Sequence, residues 1–143
     1  MRHILIILSL FLFSFTIISC GTKENTSDNT RTESSTYSDN GTTFTVTVNS
    51  SKYYIDGILT KLLILKKGYT YYFDSTDSTT NNHPLFIGTT SSGGSYTYEY
   101  NSGVTNSRTT NDTLTFVVPS DSPSTLYYNC GNHVSMGGSI TIN

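Results

Sequence analysis

The 143-residue sequence predicts an all-β domain, a sandwich or barrel of two antiparallel sheets. Three observations carry that expectation. Beyond Gly41, apolar residues recur at every second position in several short runs, the period of a half-buried strand. Turn-forming pairs separate those runs, and the composition is rich in Thr, Tyr, Val and Ile, which suit a pleated surface. No stretch in this part spaces its apolar residues for a capped helix.

Ahead of the domain lie two segments of different character. Arg2 and His3 form a short basic start, and Ile4 to Ile18 is apolar except for Ser9, Ser14 and Thr16. That run falls short of the roughly 20 residues a membrane span needs. It matches the apolar core of a secretory signal peptide, expected over residues 1–19. The boundary Ile17-Ile18-Ser19-Cys20-Gly21 resembles the lipobox of bacterial lipoproteins. That likeness implies lipidation of Cys20 and anchoring to the cell envelope, on its periplasmic or outer surface. An ordinary cleaved signal with Cys20 incidental, or a short uncleaved anchor, is the alternative. From Cys20 to Gly41 the one large apolar group is Tyr37. Such a segment buries too little to offset its ordering entropy, so residues 20–41 are expected to form a disordered tether. Its reach would be roughly 25 Å.

Residues 42–143 then form one domain, long enough for a single core. Phe44, Val46 and Val48 alternate with polar residues, as do Tyr69, Tyr71 and Phe73, then Leu114, Phe116 and Val118. Leu126, Tyr128 and Cys130 share one strand face, and Ile140 and Ile142 share another. Asp56-Gly57, Lys67-Gly68, Gly93-Gly94, Ser102-Gly103, Asn111-Asp112 and Pro119 to Pro123 mark turns. Residues 75–83 and 91–113 are polar apart from tyrosines and read as loops or an irregular edge. Lys52, Lys61, Lys66, Lys67 and Arg108 face six carboxylates (Asp56, Asp74, Asp77, Glu99, Asp112, Asp121), a net charge of −1. Phosphate binding needs a basic patch, so nucleic acid is not expected as a partner.

Within this domain four side chains are chemically conspicuous. His83, Cys130, His133 and Met136 are its only histidines, cysteine and methionine. Each alone is more often structural: a buried Cys, an exposed His, a gap-filling Met. Together they read as one metal site, because Cys-x2-His-x2-Met puts three donors on a loop closed by Gly131, Gly137 and Gly138. The glycines are expected to supply the backbone angles of a tight turn. Cys130 stands at a strand end, and with Cys20 assigned to lipid it has no disulfide partner in an oxidising compartment. His83 completes the set as the remaining histidine. One thiolate, two imidazoles and a thioether favour copper over zinc, and a single cysteine excludes a two-thiolate binuclear centre.

The segment from Leu126 to Gly138, Leu-Tyr-Tyr-Asn-Cys-Gly-Asn-His-Val-Ser-Met-Gly-Gly, is similar to the ligand loop of cupredoxins, with the short amicyanin-type spacing. Leu63 to Phe73 and His83-Pro84-Leu85 resemble that family's core strands and first-histidine region. The resemblance covers roughly Phe44 to Asn143. It implies a Greek-key β-sandwich holding one type 1 Cu(I)/Cu(II) ion, with His83, Cys130 and His133 equatorial and Met136 axial. It also implies an electron port at the edge of His133, ringed by Val134 and Leu85. Two departures stand out. Plastocyanin-type members carry Asn after the first histidine to brace the loops, whereas here Pro84 follows and Asn82 precedes. They also often place an aromatic before the cysteine, where this chain has Asn129, so only the His133 route is expected.

The function implied is single-electron transfer between redox partner proteins by a monomer that meets the membrane through its lipid. It is not expected to be an enzyme: there is no Gly-rich phosphate loop, no nucleophile elbow and no carboxylate pair beside a second metal. Copper storage or delivery is an alternative. So is a cupredoxin-shaped surface lipoprotein for adhesion, presenting Tyr96, Tyr98 and Tyr100.

Overall fold

Alternation becomes structure along most of the chain in the computed structural model, which describes residues 38–143. The signal peptide, Cys20 and most of the tether lie outside the described residues. Ten strands follow in order: β1 (Thr43–Asn49), β2 (Lys52–Ile55), β3 (Ile58–Leu59), β4 (Leu63–Leu65), β5 (Thr70–Asp74), β6 (Leu85–Gly88), β7 (Val104–Thr105), β8 (Thr113–Val117), β9 (Thr125–Cys130) and β10 (Gly138–Ile142). One 3₁₀ turn, Ser78–Thr80, is capped by the Asp77 carboxylate. The domain is all-β.

Two sheets stack as a Greek-key sandwich. One has the order β3-β2-β1-β5-β8-β7 and the other β4-β10-β9-β6, so the chain passes repeatedly between them. Their facing sides bury Phe44, Val46, Tyr71, Phe73, Leu114 and Phe116 against Leu63, Leu65, Leu126, Tyr128, Ile140 and Ile142. Each such side chain contributes about 1.5–3 kcal/mol of transfer free energy. The sheets are mixed rather than purely antiparallel as expected: β1 runs parallel to β5, and β10 parallel to β4. The cause is topological. β4 leaves the first sheet for the second, and the chain then returns to place β5 beside β1 in the same direction.

β6 departs from alternation because all four of its residues are buried. Residues 98–109 cover its outer edge through Tyr100 N–H to the Ile87 carbonyl (2.8 Å) and Arg108 N–H to the Leu85 carbonyl (2.7 Å). This irregular edge closes what would otherwise be an open template for strand pairing. At the other end of the sheets, Ser38 donates to the Ile64 carbonyl and Gly41 to the Thr70 carbonyl. Residues 38–41, assigned by sequence to the tether, thus bond to β4 and β5.

The β1–β2 turn positions an element of the site. Its central residues Ser50 and Ser51 have φ of 48° and 56°, as a type I′ hairpin turn requires. Left-handed backbone costs a residue with a Cβ about 1–2 kcal/mol, part of which glycine returns as unfolded-state entropy. Ser51→Gly should therefore raise stability by about 0.5–1 kcal/mol, read as a higher denaturant midpoint with unchanged slope.

Candidate metal centre

The site forms where three chain segments meet at one end of the sandwich. Cys130 is the last residue of β9 and lies fully buried on its inward face with Leu126 and Tyr128. β6 pairs antiparallel to β9 with Leu85 opposite Cys130, and Gly131 N–H donates to the Pro84 carbonyl at 2.8 Å. This register brings His83, two residues before β6, alongside the thiol. The chain then loops through residues 131–137 before β10, carrying half-buried His133 and fully buried Met136.

The donor atoms converge. Nδ1 of His83 lies 3.2 Å from Nδ1 of His133, and the Cys130 Sγ lies 3.4 Å from the His133 Nδ1 and 3.9 Å from the His83 Nδ1. The centre of this triangle is about 2 Å from each corner, the length of metal–nitrogen and metal–sulfur bonds. No carboxylate joins the cluster among the described residues. The fourth predicted donor, Met136, enters the same buried core as Cys130. A donor set of this softness and shape can hold one borderline-soft ion.

Hydrogen bonds from outside the ligand segments fix their backbones. The Tyr53 hydroxyl donates to the His83 carbonyl at 2.6 Å, while the Tyr53 N–H donates to the Met136 carbonyl at 3.1 Å. Lys52 Nζ donates to the Ser135 carbonyl. Asn132 Nδ2 donates to the Asn82 carbonyl at 3.0 Å, tying the two histidine segments directly. The brace that Pro84 cannot supply is thus made by Asn132, Gly131 and Tyr53. Asn129, in the place expected of an aromatic, is buried and donates to the Thr90 carbonyl at 2.8 Å.

The loop glycines serve close approach rather than unusual angles. The left-handed residue of the loop is Ser135, with φ 53°. A Cβ on Gly137 would lie 1.6 Å from the Tyr128 carbonyl oxygen, and one on Gly131 would meet the Tyr96 hydroxyl at 2.0 Å. The Tyr96 ring is held from its other sides by the Arg108 guanidinium, 4.1 Å from its centroid, and by Phe86 edge-on. Arg108 is itself paired with Glu99.

Two surface expectations change. Leu85 does not ring His133 at a surface; it is 0% exposed, because its side chain packs in the hydrophobic core, whereas Val134 is 71% exposed. Of the three tyrosines expected to be presented, only Tyr98 is exposed. Tyr100 bonds to Ser122 and packs edge-on against Phe116, and Tyr96 is half-buried. Tyr53 and Tyr96, the residues that support the site, carried no signal in the sequence, where they are two of eleven tyrosines.

Burial, reinforced by the neighbouring His133, holds the His83 imidazole below its ordinary value of 6.5. The unfolded chain therefore takes up the proton first as pH falls, so stability is full above about 6.5 and declines below it. The metal-free protein should show a lower urea midpoint at about pH 5.5 than at about pH 7.5. His83→Gln should flatten that dependence. The Tyr53 phenol, raised by burial and then by Cys130, stays protonated and remains a donor throughout.

Fold and cluster together define a class: a cupredoxin fold carrying a His-Cys-His donor triangle at one end. Among solved structures, the chain is similar to a methionine-to-glutamine mutant of rusticyanin, with 13% identity, TM-score 0.50, and 79% of this chain and 86% of that chain covered. It is also similar to reduced rusticyanin, at 14% identity and TM-score 0.48 over 79% and 87% of the two chains. For rusticyanin from Thiobacillus ferrooxidans the values are 14% and 0.46 over 73% and 79%. No protein-family model and no curated protein matches. At these identities the likeness speaks for the fold, and the residues of the site must speak for the chemistry.

Proposed function

We propose that this chain is an exported blue copper protein that carries single electrons between redox partners. His83, Cys130 and His133 would hold one copper ion, with Met136 as the axial donor. The observation that carries this reading is the donor triangle, with edges of 3.2, 3.4 and 3.9 Å. Rusticyanin, whose fold this chain shares, is a copper protein.

A bound copper ion would supply a one-electron Cu(I)/Cu(II) couple. The chain's own residues account for the rest. Buried Cys130 and Met136 keep their sulfurs out of water, and the half-buried imidazole of His133 lies beside exposed Val134 as the exit toward a partner. Bonds to the carbonyls of His83, Cys130, Ser135 and Met136 hold the donor segments still, which lowers the rearrangement between oxidation states. That bracing favours a carrier over a protein that releases its metal. Export and anchoring through Cys20 belong to the proposal on the strength of residues 1–21. Cys130, buried and without a disulfide among the described residues, suits an exported protein if a metal occupies it.

Titrating Cu(II) into the purified chain tests the reading. The expected result is an intense thiolate-to-copper visible band that saturates at one equivalent and survives cycles of reduction and reoxidation. A colourless protein, or one that loses its copper on reduction, would overturn the electron-carrier assignment.

A further inference from the structure

Among the described residues, one that grips two ligand segments at once belongs to neither. Tyr53 lies on β2, far in sequence from both, yet its hydroxyl donates to the His83 carbonyl at 2.6 Å. Its peptide N–H donates to the Met136 carbonyl at 3.1 Å. We infer that Tyr53 is a positioning residue of the metal centre, clamping the His83 and Met136 segments in one arrangement for both oxidation states. The inference deepens the copper reading above and rests on it.

Tyr53 is equipped for such a role because it is itself immobilised. It lies opposite Val48 of β1 in the hairpin register, and its carbonyl accepts from Thr60 N–H at 3.0 Å. Its ring is fully buried and tilts against Tyr128 of β9, with centroids 6.3 Å apart. The adjacent Lys52 adds its bond to the Ser135 carbonyl. The start of β2 therefore acts as a rigid bar joining the His83 segment to the ligand loop. His83 N–H is meanwhile held by the Thr80 carbonyl at 2.8 Å, so the Tyr53 bond fixes the other end of the same residue.

Among the buried tyrosines, Tyr71 offers a matched contrast. Its hydroxyl donates to the Ser38 carbonyl and accepts from Lys66 N–H, both at 3.0 Å, at the opposite end of the sheets. A phenol-to-benzene change at either position removes a buried hydroxyl while keeping the ring and the backbone hydrogen bonds. Only the change at Tyr53 touches a ligand residue.

Tyr53→Phe and Tyr71→Phe should therefore be compared in the full chain, metal-free and copper-loaded. Loss of one hydrogen bond worth about 1 kcal/mol should slow electron self-exchange in Tyr53→Phe by roughly three- to tenfold. Its visible band and reduction potential should shift as well. Tyr71→Phe should lower the unfolding midpoint and leave rate, band and potential unchanged. In the metal-free chain, NMR signals of His83 should move or broaden in Tyr53→Phe only, because the backbone bond to Met136 is retained. Unchanged signals there overturn the clamp whatever copper does. A coloured Tyr53→Phe protein with unaltered rate and potential overturns it equally. Absence of the band from the unaltered chain instead sinks the copper reading, and the NMR comparison then decides whether Tyr53 positions these segments.

Discussion

Cys130→Ser is expected to abolish the intense visible band and to weaken copper binding by more than about a hundredfold, since loss of an outer-sphere partner alone costs 10–100-fold. Cys130 would be the soft anionic donor to a bound copper ion, its Sγ 3.4 Å from one imidazole nitrogen and 3.9 Å from the other. A serine hydroxyl is shorter, harder and protonated. The same change places a hydroxyl in a fully buried position, at a cost of about 1–3 kcal/mol if it finds no partner. Thermal unfolding of the metal-free variant should accompany the copper titration, so that lost affinity is read on a folded chain. A persistent band in the folded variant would place copper elsewhere.

The second large effect is mechanical. Gly137→Ala would set a Cβ 1.6 Å from the Tyr128 carbonyl oxygen, 2.7 Å from its carbon and 3.1 Å from the Asn129 Cα. All three are backbone atoms of β9, held between β6 and β10, so they cannot swing away. Relief would require separating the β9–β10 ladder where it begins, at Gly138 opposite Tyr128. The expected loss is about 3 kcal/mol or more, measured as a fall in urea midpoint of the metal-free chain, with copper affinity falling too. Gly131→Ala should be milder, because it meets side-chain rather than backbone atoms, at the cost of loosening the Tyr96 ring from Arg108 and Phe86.

Where one strand face is buried and the other wet, the sequence announced the strand. Phe44 and Val46, Tyr71 and Phe73, Leu114 and Phe116, and Leu126 and Tyr128 all point inward with their alternating neighbours outward. The pattern is silent where that asymmetry fails. β3 exposes both Ile58 and Leu59, β7 is two residues long, and β6 is buried on both faces. Parallel pairing of β1 with β5 leaves no mark in either run, because the period of two is the same in both directions.

The site divides along a similar line. Cys130 and His133 were legible because rare donor types recur at fixed spacing on one loop, and His83 because no other histidine remained in the domain. The supports were not legible. Tyr53 reaches the loop only through the β1–β2–β3 ladder, and Asn132 reaches Asn82 only because Leu85 pairs with Cys130. Leu85 was misplaced at the rim because the packing of its side chain into the core is a tertiary fact that no local pattern records.

The pairing of Leu85 with Cys130 also sets an order of events. His83 and Cys130 are 47 residues apart in the chain, and nothing local brings them together. Before β6 and β9 zip, the chain offers an incoming ion little more than Cys130, His133 and Met136 on a floppy loop. The complete donor triangle exists only after the second sheet has assembled, among the slowest contacts a chain of this topology makes. A metal that prefers the finished triangle therefore adds its free energy to the native state and almost none to the transition state. It should act as a latch on unfolding rather than a guide to folding.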